Sequence, residues 1–305
     1  MKIGIGSVIV GNRGTTLDDL VNEVKAVEAE GFDFYSLPNI FGHDAISVLT
    51  VAGRETSRIE VATGVTPTPP RHPFAIAQQA LTAQAACRGR FVLGIGLSHK
   101  VVIENMLGLS YAHPAKQMRE YLEVLMPLAQ GKPASFSGDL YRVNGALQIA
   151  GGTPMPVVVA ALGPKMLEVA GRLADGTATW MTGVKTLAEH TVPAITKAAS
   201  DAGRPAPRII AALPFALTKD PNAARDVANK VFAIYGQLPS YRAMLDREGA
   251  ANPGDVGILG DEAVLRAGIA KLRDAGVTHF LASVFPADAT CIERTKAFLK
   301  SELLA

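Results

Sequence analysis

Short apolar runs rich in β-branched residues alternate, along nearly the whole chain, with longer runs whose apolar positions recur at helical spacing. Such a chain buries its strands in a sheet covered by its own helices, the pattern of repeated βα units around a parallel sheet. The strands read as Lys2–Val8, Phe32–Leu37, Ile59–Val65, Phe91–Ile95, Val157–Ala160, Gly176–Trp180, Arg208–Leu217 and Val277–Val284. Eight strands with intervening helices in 305 residues fit a (β/α)8 TIM barrel better than a doubly wound sheet. The expected fold class is α/β, with one domain over residues 1–305.

The first helix shows the local logic. Thr16 can cap it, Asp18 and Asp19 favour its positive end, Leu17, Leu20, Val21, Val24 and Val27 share one face, and Gly31 ends it. Further helices are expected over Asp44–Glu55, Phe74–Cys87, His113–Gln130, Pro164–Leu173, Leu187–Ala202, Ala223–Gly236, Glu262–Ala275 and Asp288–Leu303. Two stretches break the rhythm. Pro133–Ile149 reads as a hairpin turning at Gly138-Asp139, inserted after strand four. Gly236–Gly260, punctuated by Pro239, Gly249 and Pro253, reads as a second insertion near strands seven and eight.

Thirty basic residues against twenty-eight acidic, with no long block of either sign, argue against a surface dedicated to nucleic acid or anionic membrane. The alternating start Met1-Lys2-Ile3-Gly4-Ile5-Gly6 is no signal peptide, and no run approaches the ~18 apolar residues of a membrane span. Cys87 and Cys291 form no metal-binding pattern and suit a reducing compartment. A cytoplasmic protein without a metal site is expected, acting on a small molecule.

Candidate site residues gather at strand ends. Thr63-Gly64-Val65-Thr66-Pro67 closes strand three in small residues and proline, a tip shaped to hold something flat against the backbone. Gly94-Ile95-Gly96-Leu97-Ser98-His99 brings two glycines, a hydroxyl and an imidazole out of strand four. At strand five, Ala161-Leu162-Gly163-Pro164-Lys165 leads into a helix whose first position is proline. Its N-terminus favours an anion, although Pro164 removes one donor and a plain tight turn remains an alternative. Trp180-Met181-Thr182-Gly183 at strand six offers an aromatic, a thioether and a hydroxyl, where packing alone also explains a lone tryptophan. His43, His72 and His113 each read equally as polar loop residues, and His190 and His279 as structural ones.

Together these pieces resemble the luciferase-like monooxygenase superfamily, and more narrowly its branch of oxidoreductases that use the deazaflavin coenzyme F-420. Pro70-Arg71-His72-Pro73, Ala77-Gln78-Gln79, Gly89-Arg90-Phe91, Arg119-Glu120-Tyr121-Leu122 and Ala174-Asp175-Gly176 carry the same likeness, which thins after about Val184. The resemblance implies a bulge at Gly64-Val65, built around a non-proline cis peptide, on which the deazaflavin rests. It also places the phosphate-bearing tail at Ala161, Leu162, Gly163, Pro164 and Lys165, and the ring near Thr63, Thr66, Gly96, Ser98, Met181 and Thr182. One departure matters: where sugar-phosphate dehydrogenases of the branch carry an Asp-His pair after strand two, this chain reads Asn39-Ile40. Asn39 then counts among the coenzyme contacts, and because isoleucine cannot move a proton, His99 or His43 is left as the acid or base. The expected activity is hydride transfer between F-420 and an organic substrate. An FMN-dependent monooxygenase and a non-catalytic flavin-binding protein are the alternatives, and a homodimer is compatible with the family.

Overall fold

In the computed structural model, residues 1–7 and 14–303 are described; Val8, the end of the first expected strand, lies outside them. The eight barrel strands run Lys2–Gly6, Phe34–Leu37, Glu60–Thr63, Phe91–Gly96, Val157–Val159, Gly176–Trp180, Arg208–Leu217 and His279–Val284. Each pairs in parallel with the next, and strand eight pairs back onto strand one through Lys2 and His279, so the sheet closes into a (β/α)8 barrel.

The first helix, Leu17–Ala29, forms as its sequence dictates. Thr16 Oγ1 accepts from the Asp19 N–H at 3.1 Å, and Asp19 Oδ2 accepts from the Thr16 N–H at 2.8 Å, a reciprocal cap that contributes about 1 kcal/mol. Leu20, Val21, Val24 and Val27 are buried against the barrel, and burying a side chain of this kind stabilises by roughly 1.5–3 kcal/mol. Gly31 follows at φ 97°, the left-handed conformation that ends a helix.

Several expected elements are shorter or divided. Strand three stops at Thr63, because the chain turns out at Gly64-Val65 and resumes pairing at Thr66–Pro67 against Ile95 and Gly96. Strands two and eight begin two residues later than expected, at Phe34 and His279, and the last helix begins at Cys291. Leu187–Ala202 divides into a π-helical turn, Leu187–Thr191, and the helix Val192–Asp201. Ala223–Gly236 becomes the helix Pro221–Val231 and a 3-10 turn, Ala233–Gly236.

Both insertions stand where the sequence placed them. The first is an antiparallel hairpin, Ala134–Ser137 with Arg142–Gly145, fastened to the helix Pro114–Ala129 by buried Glu120, whose Oε2 accepts from the Leu140 N–H at 2.8 Å. The second holds a helix, Pro239–Glu248, and a short strand, Ile258–Gly260, that extends strand seven.

Inside the barrel, Phe34, Ala62, Val92, Val158 and Ile210 pack together with Ala178 and Leu281. Two residues further along their strands, on the same face by the period of two, stand Ser36, Gly94, Ala160, Ala212 and Ser283, with Trp180 the large exception. Small side chains predominate at this level, and the carboxyl-terminal mouth above them is called the basin.

Candidate functional site

The tip of strand three stands at the carboxyl-terminal mouth. The Gly64-Val65 peptide is cis, Gly64 is exposed, and its N–H donates to the Leu37 carbonyl at 2.9 Å. Strand four is shaped around this bulge. A Cβ on Gly94 would strike the Thr63 carbonyl, and one on Gly96 would lie 2.7 Å from Val65 Cγ2, so both glycines are required for close approach. Thr63 Oγ1 donates to the Gly94 carbonyl at 2.7 Å and accepts from the Gly94 N–H at 2.9 Å. Downstream, Arg71 donates to the Pro67 carbonyl at 3.1 Å and to Asp44 Oδ2 at 3.2 Å, while Asp44 Oδ1 caps the helix Ala45–Glu55 through the Ser47 N–H. The platform is thereby tied to its neighbours on both sides.

Strand four then delivers the imidazole. Ser98 takes φ 60°, a left-handed turn that redirects the chain, and its carbonyl accepts from Tyr111 Oη at 3.0 Å. His99 follows, half-buried, and burial pulls its pKa below the ordinary imidazole range, so the ring is neutral at neutral pH. Its ring centroid lies 5.8 Å from that of Tyr241. His43, by contrast, is exposed at the rim, with Nε2 3.2 Å from the Thr15 carbonyl.

After strand five, Ala161 is buried and the Leu162 carbonyl lies 2.9 Å from His190 Nε2, which fixes the loop and makes that nitrogen the protonated one. Gly163 is the N-cap of the helix Pro164–Leu173, with no side chain capping it, and Pro164 holds the first position. Lys165 is exposed and has no ion-pair partner among the described residues. At strand six, Met181 is buried at φ 53°, and Thr182 Oγ1 donates to the Trp180 carbonyl at 3.4 Å. Glu248, from the second insertion, accepts from the Lys185 N–H at 3.1 Å and the Thr186 N–H at 2.7 Å.

The mouth therefore collects Gly64, Val65, Gly96, Ser98 and His99 on one side and the loop from Ala161 to Lys165 beside them. The hydroxyls of Thr63 and Thr182 are engaged within the protein, and Thr66 Oγ1 is buried with no hydrogen-bond partner among the described residues. Asn39 Oδ1 is occupied by the Ala45 N–H at 2.9 Å, so that oxygen fastens the helix after strand two. The role of one group and the presence of another went unread in the sequence. Arg90 gathers the Gly53, Thr56 and Ile59 carbonyls at 2.7–2.8 Å, a structural role. Tyr241 arrives on the unexpected helix Pro239–Glu248, although Pro239 at its first position and Gly249 at φ 81° just past its end are recognisable boundary signals.

Two surface clefts lie apart from this basin. One, of about 460 Å³, sits at the amino-terminal end beside Arg208 and His279; the other, of about 450 Å³, lies between Arg71, Leu107, Leu109 and Tyr141. Neither includes the strand tips, and in barrels of this type chemistry resides at the carboxyl ends of strands. No group of metal-binding side chains occurs among the described residues.

The luciferase-like monooxygenase family model matches residues 2–303. A 5,10-methylenetetrahydromethanopterin reductase of Archaeoglobus fulgidus is 32% identical over 238 residues, covering 74% of this chain and 68% of that protein. An F-420-dependent glucose-6-phosphate dehydrogenase of Mycobacterium leprae is 29% identical over 229 residues, 69% of this chain and 68% of its own. The coenzyme F-420-dependent tetrahydromethanopterin reductase of Methanopyrus kandleri superposes with a TM-score of 0.83 at 23% identity, covering 99% of this chain and 98% of that one, which shows a common fold. With the family pattern extending from the first strand to the last helix, the chain belongs to the luciferase-like monooxygenase family.

Proposed function

We propose that the protein is an oxidoreductase that binds coenzyme F-420 at the barrel mouth and exchanges a hydride with a small organic substrate. The observation that carries this reading is the exposed backbone at Gly64, against which strand four closes with glycine at positions 94 and 96. A planar ring fits against bare backbone there, and a tail anion fits the uncapped helix start at Gly163 with the unpaired Lys165 beside it. When bound, the deazaflavin supplies a hydride carrier with carbon at the position where a flavin has N5. The same coenzyme is named for the similar dehydrogenase of Mycobacterium leprae and the similarly folded reductase of Methanopyrus kandleri.

The protein's own residues bind and orient. Gly64, Val65 and Ser98 contribute to the ring site with Gly96 packed behind them, Leu162 and Lys165 hold the tail, and the fully buried Met181, Thr182 and Ala161 support these positions from beneath. His99, neutral and half-buried, is the proton-transfer group, and His43 belongs to the rim. A cytoplasmic homodimer completes the proposal: two buried free cysteines suit a reducing compartment, and exposed Ile40 and Phe41 offer apolar contact area.

The test is kinetic. A positioned acid or base contributes about 10²–10⁴-fold, so His99→Ala should lower kcat by that factor while coenzyme affinity stays within a few-fold. His43→Ala should change neither. A loss in coenzyme affinity alone would make His99 a binding residue, and no loss would remove it from the site.

A further inference from the structure

Beside His99 and the end of strand six stands a wall built from aromatic rings. Trp180, at the inner end of strand six, meets Tyr235 with ring centroids 5.7 Å apart and planes at 82°. Tyr235 meets Tyr241 at 5.0 Å and 77°, and Tyr241 meets His99 at 5.8 Å. The Trp180–Tyr235 and Tyr235–Tyr241 contacts are edge-to-face and the Tyr241–His99 contact is tilted at 59°, geometries that set each ring against the next. Phe232 supports Trp180 from behind at 5.3 Å. The chain of rings therefore joins the end of strand four to the end of strand six through Tyr235 in the turn Ala233–Gly236 and Tyr241 in the helix Pro239–Glu248.

The wall is held firmly and carries no charge. Glu248 fastens its helix to the exit of strand six through the Thr186 N–H and hydroxyl, at 2.7 and 2.6 Å. A Cβ at Gly183 would fall on that carboxylate, so the loop is glycine where the two approach. Arg242, beside Tyr241 in sequence, is used by Asp246 at 2.8 Å and by the Ala251 carbonyl at 2.7 Å. Burial raises the pKa of Tyr235 and Tyr241 and lowers that of His99, so all three are neutral at neutral pH. A phosphate or carboxylate placed against this surface would lose water and find no cation.

We infer that the wall of Trp180, Tyr235 and Tyr241 is the substrate-recognition face, and that the substrate is an uncharged, largely apolar ring compound carrying an oxygen that accepts a hydrogen bond. The inference rests on the proposed function only in taking the basin as the reaction site. The ring would pack on the aromatic edges, and a tyrosine hydroxyl would donate to the oxygen. A phosphorylated sugar, the substrate class named for the similar dehydrogenase of Mycobacterium leprae, does not suit such a wall.

Trp180 is the chain's single tryptophan, so its emission reports occupancy directly. The coenzyme-loaded protein should show a saturable change in Trp180 emission with the neutral bicyclic ketone 2-decalone and none with glucose 6-phosphate. Tyr235→Ala and Tyr241→Ala should each weaken ketone binding at least tenfold, with coenzyme affinity, read from deazaflavin fluorescence, unchanged. Tyr241→Phe, which keeps the ring and preserves folding, should weaken 2-decalone a few-fold and leave the oxygen-free decalin unaffected. Saturable binding of glucose 6-phosphate at Trp180, or ketone affinity unchanged in both alanine variants, would overturn the inference. If no coenzyme binds yet the ketone response persists and depends on Tyr241, the proposed function fails and the wall stands.

Discussion

The two ends of the barrel are made from the same strands and treated oppositely. At the amino-terminal end, Arg208 donates to both carboxylate oxygens of Glu60, at 2.6 and 3.3 Å, and Lys2 Nζ lies 3.8 Å from the same group. His279 closes that end, with Nδ1 2.8 Å from Thr278 Oγ1 and its ring edge-on to Phe34 at 5.5 Å. At the mouth, inward positions are glycine, alanine and serine, Lys165 is unpaired, and a peptide lies exposed. Long charged side chains that reach one another hold the amino-terminal end together beside a surface cleft, whereas the inward positions at the other end are mostly small. The contrast assigns stability to one end and binding to the other.

The sharpest way to break this division is to open the amino-terminal end. Arg208→Ala would leave the mostly buried Glu60 carboxylate without its main partner, which should cost about 3 kcal/mol of stability in urea unfolding while coenzyme affinity is kept. A comparable loss of coenzyme affinity in that variant would show that the two ends are not separable.

His279 gives the same end a pH dependence. Burial, together with Arg208, Lys2 and the amino terminus, lowers its pKa to about 3; Glu60, 4.0 Å away, does not compensate because Arg208 already engages it. The folded imidazole therefore stays neutral while the unfolded one protonates below about 6.5, so the unfolded state binds more protons as pH falls from 6.5 toward 3. This group alone should make the protein about 2 kcal/mol less stable at pH 5 than at pH 7.5, and His279→Asn should flatten that part of the profile. An unchanged slope in the variant would contradict the assignment.

At the mouth the effect should be smaller and should fall on binding. Gly64→Ala places a methyl group where the ring would lie and also against Ser36 Oγ, so coenzyme affinity should fall about tenfold, or ~1.4 kcal/mol. Adding Ser36→Ala should restore any lost Tm without restoring affinity. Recovery of both would show that the first substitution acted only through packing.

Much of this was written in the sequence, and what was missed has a physical pattern. The barrel strands are apolar, β-branched runs long enough to be distinguished from helices, and Gly94-Ile95-Gly96 was legible because glycine pairs at a strand end mark close backbone approach. Thr63 was legible as a site residue, but not that its hydroxyl would be spent on Gly94, since that depends on a neighbour 31 positions away. The helix Pro239–Glu248 escaped because it is mostly polar and buries only Met244 and Leu245, so Pro239 and Gly249 read as breakers rather than as its two ends. Tyr241 and its wall were lost with it. Val101–Met106, β-branched at its start, likewise gave no sign of its π-helical turn.

In the function proposed above, the Gly64-Val65 platform and the Gly163–Lys165 helix start together hold a deazaflavin coenzyme. Titrating the purified protein with F-420, its tail-less ring fragment and FMN, in wild type and Lys165→Ala, tests it most directly. The account predicts that F-420 binds more tightly than FMN, and that Lys165→Ala weakens F-420 tenfold or more while leaving the ring fragment unchanged, as loss of a charge-assisted phosphate contact worth about 1.5–3 kcal/mol requires. Tight FMN binding with no F-420 binding, or identical F-420 affinity with and without Lys165, would contradict it.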